Sequence, residues 1–184
     1  MEQSVKPNAT KVATKWAFIY TATAIVITYA TEFLDVDPNN SLAKYISYVP
    51  FIAFLCLTQK EYRDELGGYI SFGNAFSAGF RYALFSGLLL AVFTYLYFSV
   101  LSPEMWEKVL EATQAEMEAK NQPVEQIDAT MEFMRGKWGS IMIVFGISVG
   151  LAVMGAIISL VTAAIFKKER SPYDIANDAV DPTE

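Results

Sequence analysis

Histidine is absent from this chain of 184 residues. Its absence excludes zinc sites of the His type, histidine-ligated haem and histidine general bases. Cysteine occurs once, at Cys56 inside an apolar run, so no intrachain disulfide framework can form. That cysteine reads as a small buried apolar side chain. Basic residues are outnumbered, 14 Lys and Arg against 20 Asp and Glu, for a net charge of −6. Phosphates call for a basic patch, so nucleic acid is not an expected partner. Charge is scarce altogether, at 18% of residues against about 25% in soluble domains, while apolar residues reach 53%.

What is present is segregated. Charge collects in the N-terminal tail, at residues 60–65, at 104–137 and in the C-terminal tail, with long apolar runs between. A soluble core does not need that segregation, whereas a bilayer does. The chain has room for one domain. The expected fold is all-α: an integral membrane four-helix bundle with spans at about 16–34, 42–59, 72–101 and 140–166. An extracytoplasmic helical hairpin would fill 102–139, and tails would occupy 1–15 and 167–184. About twenty residues at 1.5 Å each cross the ~30 Å hydrocarbon layer.

The basic tail ahead of the first run also fits a signal peptide, with Thr28-Tyr29-Ala30 as a cleavage tripeptide. The run exceeds the usual h-region of roughly 7–15 residues, so an uncleaved span is expected. Residues 35–41 are dense in turn formers. The second run is short, but Lys44 can snorkel at one end, the helix can continue to Leu66 before Gly67-Gly68 stop it, and Pro50 should bend it. Ser71 can cap the third helix, with Arg81 at the membrane boundary. The fourth run carries no charge before Lys167-Lys168. In the intervening segment Ser102-Pro103 read as N-cap and first helical residue, with Trp106, Val109 or Leu110, Thr113 and Met117 on one face. After Asn121-Gln122, Pro123 opens a second helix with an apolar seam at Val124, Ile127, Met131, Met134 and Trp138.

Basic residues flanking the spans set orientation. Lys6, Lys11, Lys15, Lys60, Arg63, Arg81, Lys167, Lys168 and Arg170 fall on one side. Lys44, Lys108, Lys120, Arg135 and Lys137 fall on the other, and all but Lys44 lie in the long loop. Both termini are therefore expected in the cytoplasm of a bacterial inner membrane.

The four-span layout, Tyr62-Arg63 followed by Gly67-Gly68-Tyr69-Ile70-Ser71-Phe72-Gly73, and Gly79-Phe80 in the third helix carry a resemblance. From about Trp16 to Phe166 the chain resembles the uncharacterised bacterial membrane family called domain of unknown function 4199. The family has no established activity, so the resemblance implies no catalytic, cofactor or binding residue.

Ala75, Gly79, Ala83 and Gly87 recur every fourth residue, and Gly146 with Gly150 and Gly155 with Ser159 and Ala163 repeat the theme. Small residues at that spacing let helix backbones approach closely in lipid, within one chain or between two. Ala17, Thr21, Ala24, Thr28 and Thr31 form a similar stripe, whose threonines can bond their own helix carbonyls. Glu32 is the acidic side chain inside a span. It reads as half of a partly exposed ion pair with Lys44, or else as the proton-binding carboxylate of a small transporter. The methionines of the long loop could bind Cu(I), but without cysteine or histidine beside them they read as a packed face.

The expectation is a non-enzymatic scaffold or accessory subunit with no cofactor or metal. Its partners would be the lipid bilayer and either another membrane protein or a second copy of the chain. The alternative is a proton-coupled transporter using Glu32.

Overall fold

Asn8 opens the first helix by accepting hydrogen bonds from the backbone N–H groups of Thr10, at 2.9 Å, and Lys11, at 3.3 Å. The computed structural model describes residues 7–34, 45–46, 48–136 and 138–169, without the side chains of Glu32 and Ile143. Six α-helices have bounds within the described residues, in chain order: α1 Ala9–Phe33, α2 Tyr48–Glu65, α3 Phe72–Leu96, α4 Pro103–Ala119, α5 Val124–Arg135 and α6 Gly139–Phe166. A π-helical turn, Tyr97–Leu101, follows α3. There is no β-strand among the described residues, only an isolated antiparallel bridge between Ile70 and Lys168.

Among the described residues three helical stretches are long and apolar enough to cross a membrane: Ala9–Thr31, Phe72–Leu101 and Gly139–Phe166. The last has a mean hydropathy of 2.6, yet only 12% of its apolar window is buried inside the protein. An apolar helix with so small a share of fully buried residues is suited to an apolar solvent. Within its described bounds α2 offers only the stretch from Tyr48 to Gln59 before Lys60 and Glu61, and it is not among the three. Pro50 is the third residue of α2 within those bounds.

The chain divides into two compact units, Met1–Ser86 with Ala152–Glu184, and Gly87–Leu151. In the first, α2 stops as its two glycines demand. Gly67 and Gly68 hold φ of 80° and 86°, with Gly68 N–H donating to Arg63 O at 2.9 Å and Gly67 N–H to Asp64 O at 3.1 Å. This paired closure uses two of the helix's last carbonyls and suits residues without a Cβ. Ser71 caps α3 through a long bond, 3.4 Å, from Asn74 N–H.

In the second unit, Ser102 stands at the N-cap of α4 with Pro103 at the first helical position, but its hydroxyl caps nothing. Its N–H instead donates to Tyr97 O at 2.8 Å, the i to i+5 bond that closes the π turn. Pro123 is the N-cap of α5 rather than its first residue, and Asn121 takes a left-handed φ of 53° in the turn before it. The apolar seam is shorter than its spacing suggests. Leu110, Ile127 and Met131 are buried, while Val124 and Trp138 are 72% and 65% exposed.

Candidate functional site

The first unit's core is built from stripes on four helices. On α2, Phe51, Leu55, Thr58 and Gln59 have no exposed surface, the spacing of one helix face. Val12, Ala13, Ala17 and Tyr20 of α1, Ala75, Ala78, Tyr82 and Ala83 of α3, and Ser159 and Ala163 of α6 are buried as well. Three rings fill the centre, with centroids 5.3 Å apart for Tyr20 and Phe51 and 5.5 Å for Phe51 and Tyr82. The Tyr82 hydroxyl donates to Phe51 O at 3.1 Å.

One turn toward the charged end of α2 the core becomes polar. Gln59 Nε2 faces three acceptors, Ala75 O at 3.1 Å, Ser159 Oγ at 3.1 Å and Ser159 O at 3.3 Å. The Ser159 hydroxyl in turn donates to Phe76 O at 3.0 Å. A side chain of α2 thereby ties backbone carbonyls of α3 and α6. Gly79 creates the room. A Cβ there would stand 2.7 Å from Gln59 Nε2, 3.1 Å from Ser159 Cβ, and in overlap with Ser159 Oγ. Gln59 Oε1 is buried and takes no hydrogen bond. With three acceptors around Nε2, flipping the amide would set oxygen against oxygen, so this assignment is the favourable one.

The small residues divide by neighbourhood. A Cβ on Gly155 would overlap that of Ala83 and lie 3.2 Å from Phe51 Cζ, and one on Gly87 would lie 2.9 Å from Ser148 O. Ala75, Ala83 and Ser159 are fully buried. Gly146 and Gly150 are different. Both are exposed, with nothing within 4 Å of an added Cβ, so in this structure they line no helix contact. Glu32, by its side chain, and Lys44 lie outside the described residues, and with them the expected ion pair. Along α1 the threonines bond their own helix: Thr21 to Ala17 O at 2.8 Å, Thr28 to Ala24 O at 2.9 Å and Thr31 to Thr28 O at 2.8 Å.

At one end of the first unit the charged residues gather. Glu61 pairs with Lys15 and accepts from Trp16 Nε1 at 2.8 Å, and Arg81 Nη1 donates to Thr10 Oγ1 at 2.8 Å. Ile70 and Lys168 exchange two backbone hydrogen bonds of 2.8 and 3.0 Å. The Arg63 guanidinium lies 5.5 Å from the Phe166 ring centre and the Lys168 ammonium 5.1 Å from that of Tyr69.

Two open grooves lie in the second unit. One, about 400 Å³, is walled by apolar side chains including Leu88, Val92, Ile141 and Phe145. The other, about 600 Å³, is lined by Gln114, Asp128, Met131, Glu132, Arg135 and Gly136. Among the described residues no three His, Cys, Asp or Glu are placed to hold a metal ion. The Gln59 amide does not ionise near neutral pH, so it acts here as a hydrogen-bond donor rather than as an acid or base.

Gln59 is the residue that pattern reading passed over. It lies eight residues after Phe51 and four after Leu55, on the buried stripe of α2, and its neighbours Lys60 and Glu61 make it look like the start of a solvated end.

No curated protein and no solved structure matches this chain. Residues 15–168 match one family, described as a protein of unknown function (DUF4199). That match covers most of the chain, which therefore belongs to the DUF4199 family.

Proposed function

We propose that the chain is a four-span inner-membrane protein that catalyses no reaction and serves as a scaffold or accessory subunit. Its termini would be cytoplasmic, and α4 with α5 would form an extracytoplasmic hairpin. The observation that carries the reading is how the described polar groups of the first unit's core are spent. Gln59, Ser159, Tyr82 and the threonines of α1 bond backbone carbonyls, most of them across or along helices. Polar groups used that way lock helices together. The outward apolar faces of α3 and α6 are suited to lipid or to another membrane helix.

The orientation is supported by Lys15, Arg63, Arg81, Lys167 and Lys168, which share a region through contacts among α1, α2, α3 and the end of α6. In a Cys56→Ser background, Lys120→Cys should react with an impermeant thiol reagent in intact spheroplasts. Labelling only after lysis would reverse the topology. For function, purification from detergent-solubilised membranes followed by mass spectrometry should recover a stoichiometric membrane partner. Uptake of a solute by liposomes holding the chain alone, driven by a pH gradient and lost in Glu32→Gln, would replace the scaffold reading with transport.

A further inference from the structure

We propose that the turn after α2 and the end of α6 form a binding site for the phosphate of an anionic lipid, held between Arg63 and Lys168. The proposal rests on the chain spanning a membrane, not on which face the site occupies. Arg63 Nε is a buried donor with no acceptor. A guanidinium nitrogen in that condition is costly unless a partner arrives. Asp64 Oδ1 meets Arg63 only at Nη2, 3.5 Å away, leaving Nε unpaired, while Glu169 is 3.3 Å from Lys167 and Glu61 holds Lys15. Glu65 is exposed at the end of α2. No carboxylate pairs with Lys168 among the described residues, and its ammonium rests over Tyr69.

The two cations are fixed to one short stretch. Arg63 lies over Phe166, and Lys168, two residues on, is fastened by its double backbone bond to Ile70. Beneath them a small core of Ile70, Ala75 and Ala163, with Tyr62, Leu66 and Phe76 against it, makes the support rigid. A phosphodiester has two acceptor oxygens, one for the partly exposed Arg63 guanidinium and one for Lys168 Nζ, and such charge-assisted bonds are the strong kind. The choice of a lipid over free phosphate comes from α6. In the turns just before the cations, Val161 is 59% and Ile165 72% exposed, an apolar track for an acyl chain whose headgroup sits at their end.

The test is lipid retention by the purified full chain in micelles, measured by native mass spectrometry with equal phosphatidylglycerol and phosphatidylcholine. Each cation is expected to contribute about fivefold, the equivalent of about 1 kcal/mol. The parent should therefore prefer phosphatidylglycerol by about 25-fold, and Lys168→Gln should lose about fivefold of that. Arg63→Gln should lose a similar factor, but Lys168 is exposed, so its variant keeps the test sound if Arg63→Gln folds poorly. Lys120→Gln, in the turn between α4 and α5, should change nothing. Equal retention of the two lipids, or an unchanged preference in Lys168→Gln, would overturn the site. Protection against thermal unfolding by inorganic phosphate equal to that by phosphatidylglycerol would overturn the lipid as its source. Failure of the chain to sediment with membranes would instead strike the membrane reading itself.

Discussion

Gly155→Leu should destabilise the fold by about 3 kcal/mol or more, the cost of overpacking where the neighbour cannot yield. At this position the first atom beyond Cα already meets the Cβ of Ala83, and Ala83 Cα lies 3.5 Å away. Those atoms belong to or sit on the α3 backbone, so no rotamer change relieves the overlap. The third near atom, Phe51 Cζ at 3.2 Å, is held in the ring cluster with Tyr20 and Tyr82. Helix propensity works the other way by about 1 kcal/mol, and a net loss is expected in spite of it. Gly150→Leu is the matched control: same helix, same substitution, nothing within 4 Å. It should be neutral or slightly stabilising in thermal unfolding in detergent. A smaller exchange isolates the contact. Gly155→Ala should cost stability, and adding Ala83→Gly, which removes the overlapped methyl, should restore more than half of it. Equal effects of leucine at 150 and 155 would show that the close approach at Gly155 does not exist.

That contrast also marks where sequence reading stops. Gly146 with Gly150 and Gly155 with Ser159 display the same small-residue spacing, and nothing in the pattern separates them. In water the buried face of a helix is apolar and the outer face polar, so periodicity names the inside. In lipid both faces are apolar, and the difference between a glycine against protein and a glycine against an acyl chain leaves no trace in hydropathy. Features with their own local chemistry were legible. The uncharged run 140–166 corresponds to α6, Gly139–Phe166, and Gly67-Gly68 end α2 because two consecutive left-handed positions favour glycine. Pro103 opens α4 because its ring fits the first helical position. The π turn at Tyr97–Leu101 had no signal, since it adds one residue to a helical turn without any glycine or proline. Gln59 was hidden by its neighbours, whose charge suggested water where the structure has three acceptors from α3 and α6.

Gln59→Glu should be the most damaging single change to that polar centre, costing about 3–5 kcal/mol, the range for a buried charge left without its partner. The amide nitrogen donates toward Ala75 O, Ser159 O and Ser159 Oγ, two of them carbonyl oxygens that cannot become donors. A carboxylate would place an anionic oxygen against them in a site with no exposed surface. Only the Ser159 hydroxyl could turn to donate, and doing so would break its bond to Phe76 O. Adding Ser159→Ala to Gln59→Glu should therefore worsen the loss, whereas the same addition to Gln59→Leu should matter little. Gln59→Leu gives up the hydrogen bonds but also the unpaired Oε1, and those terms oppose each other. Single interhelical bonds in membranes average about 0.6 kcal/mol and reach about 1.7, so the leucine variant should lose no more than about 2 kcal/mol. The expected order of unfolding midpoints in detergent is parent, Ser159→Ala, Gln59→Leu, Gln59→Glu. A glutamate variant as stable as the leucine one would mean that water or lipid headgroups reach position 59, and that the clamp among α2, α3 and α6 is open to solvent.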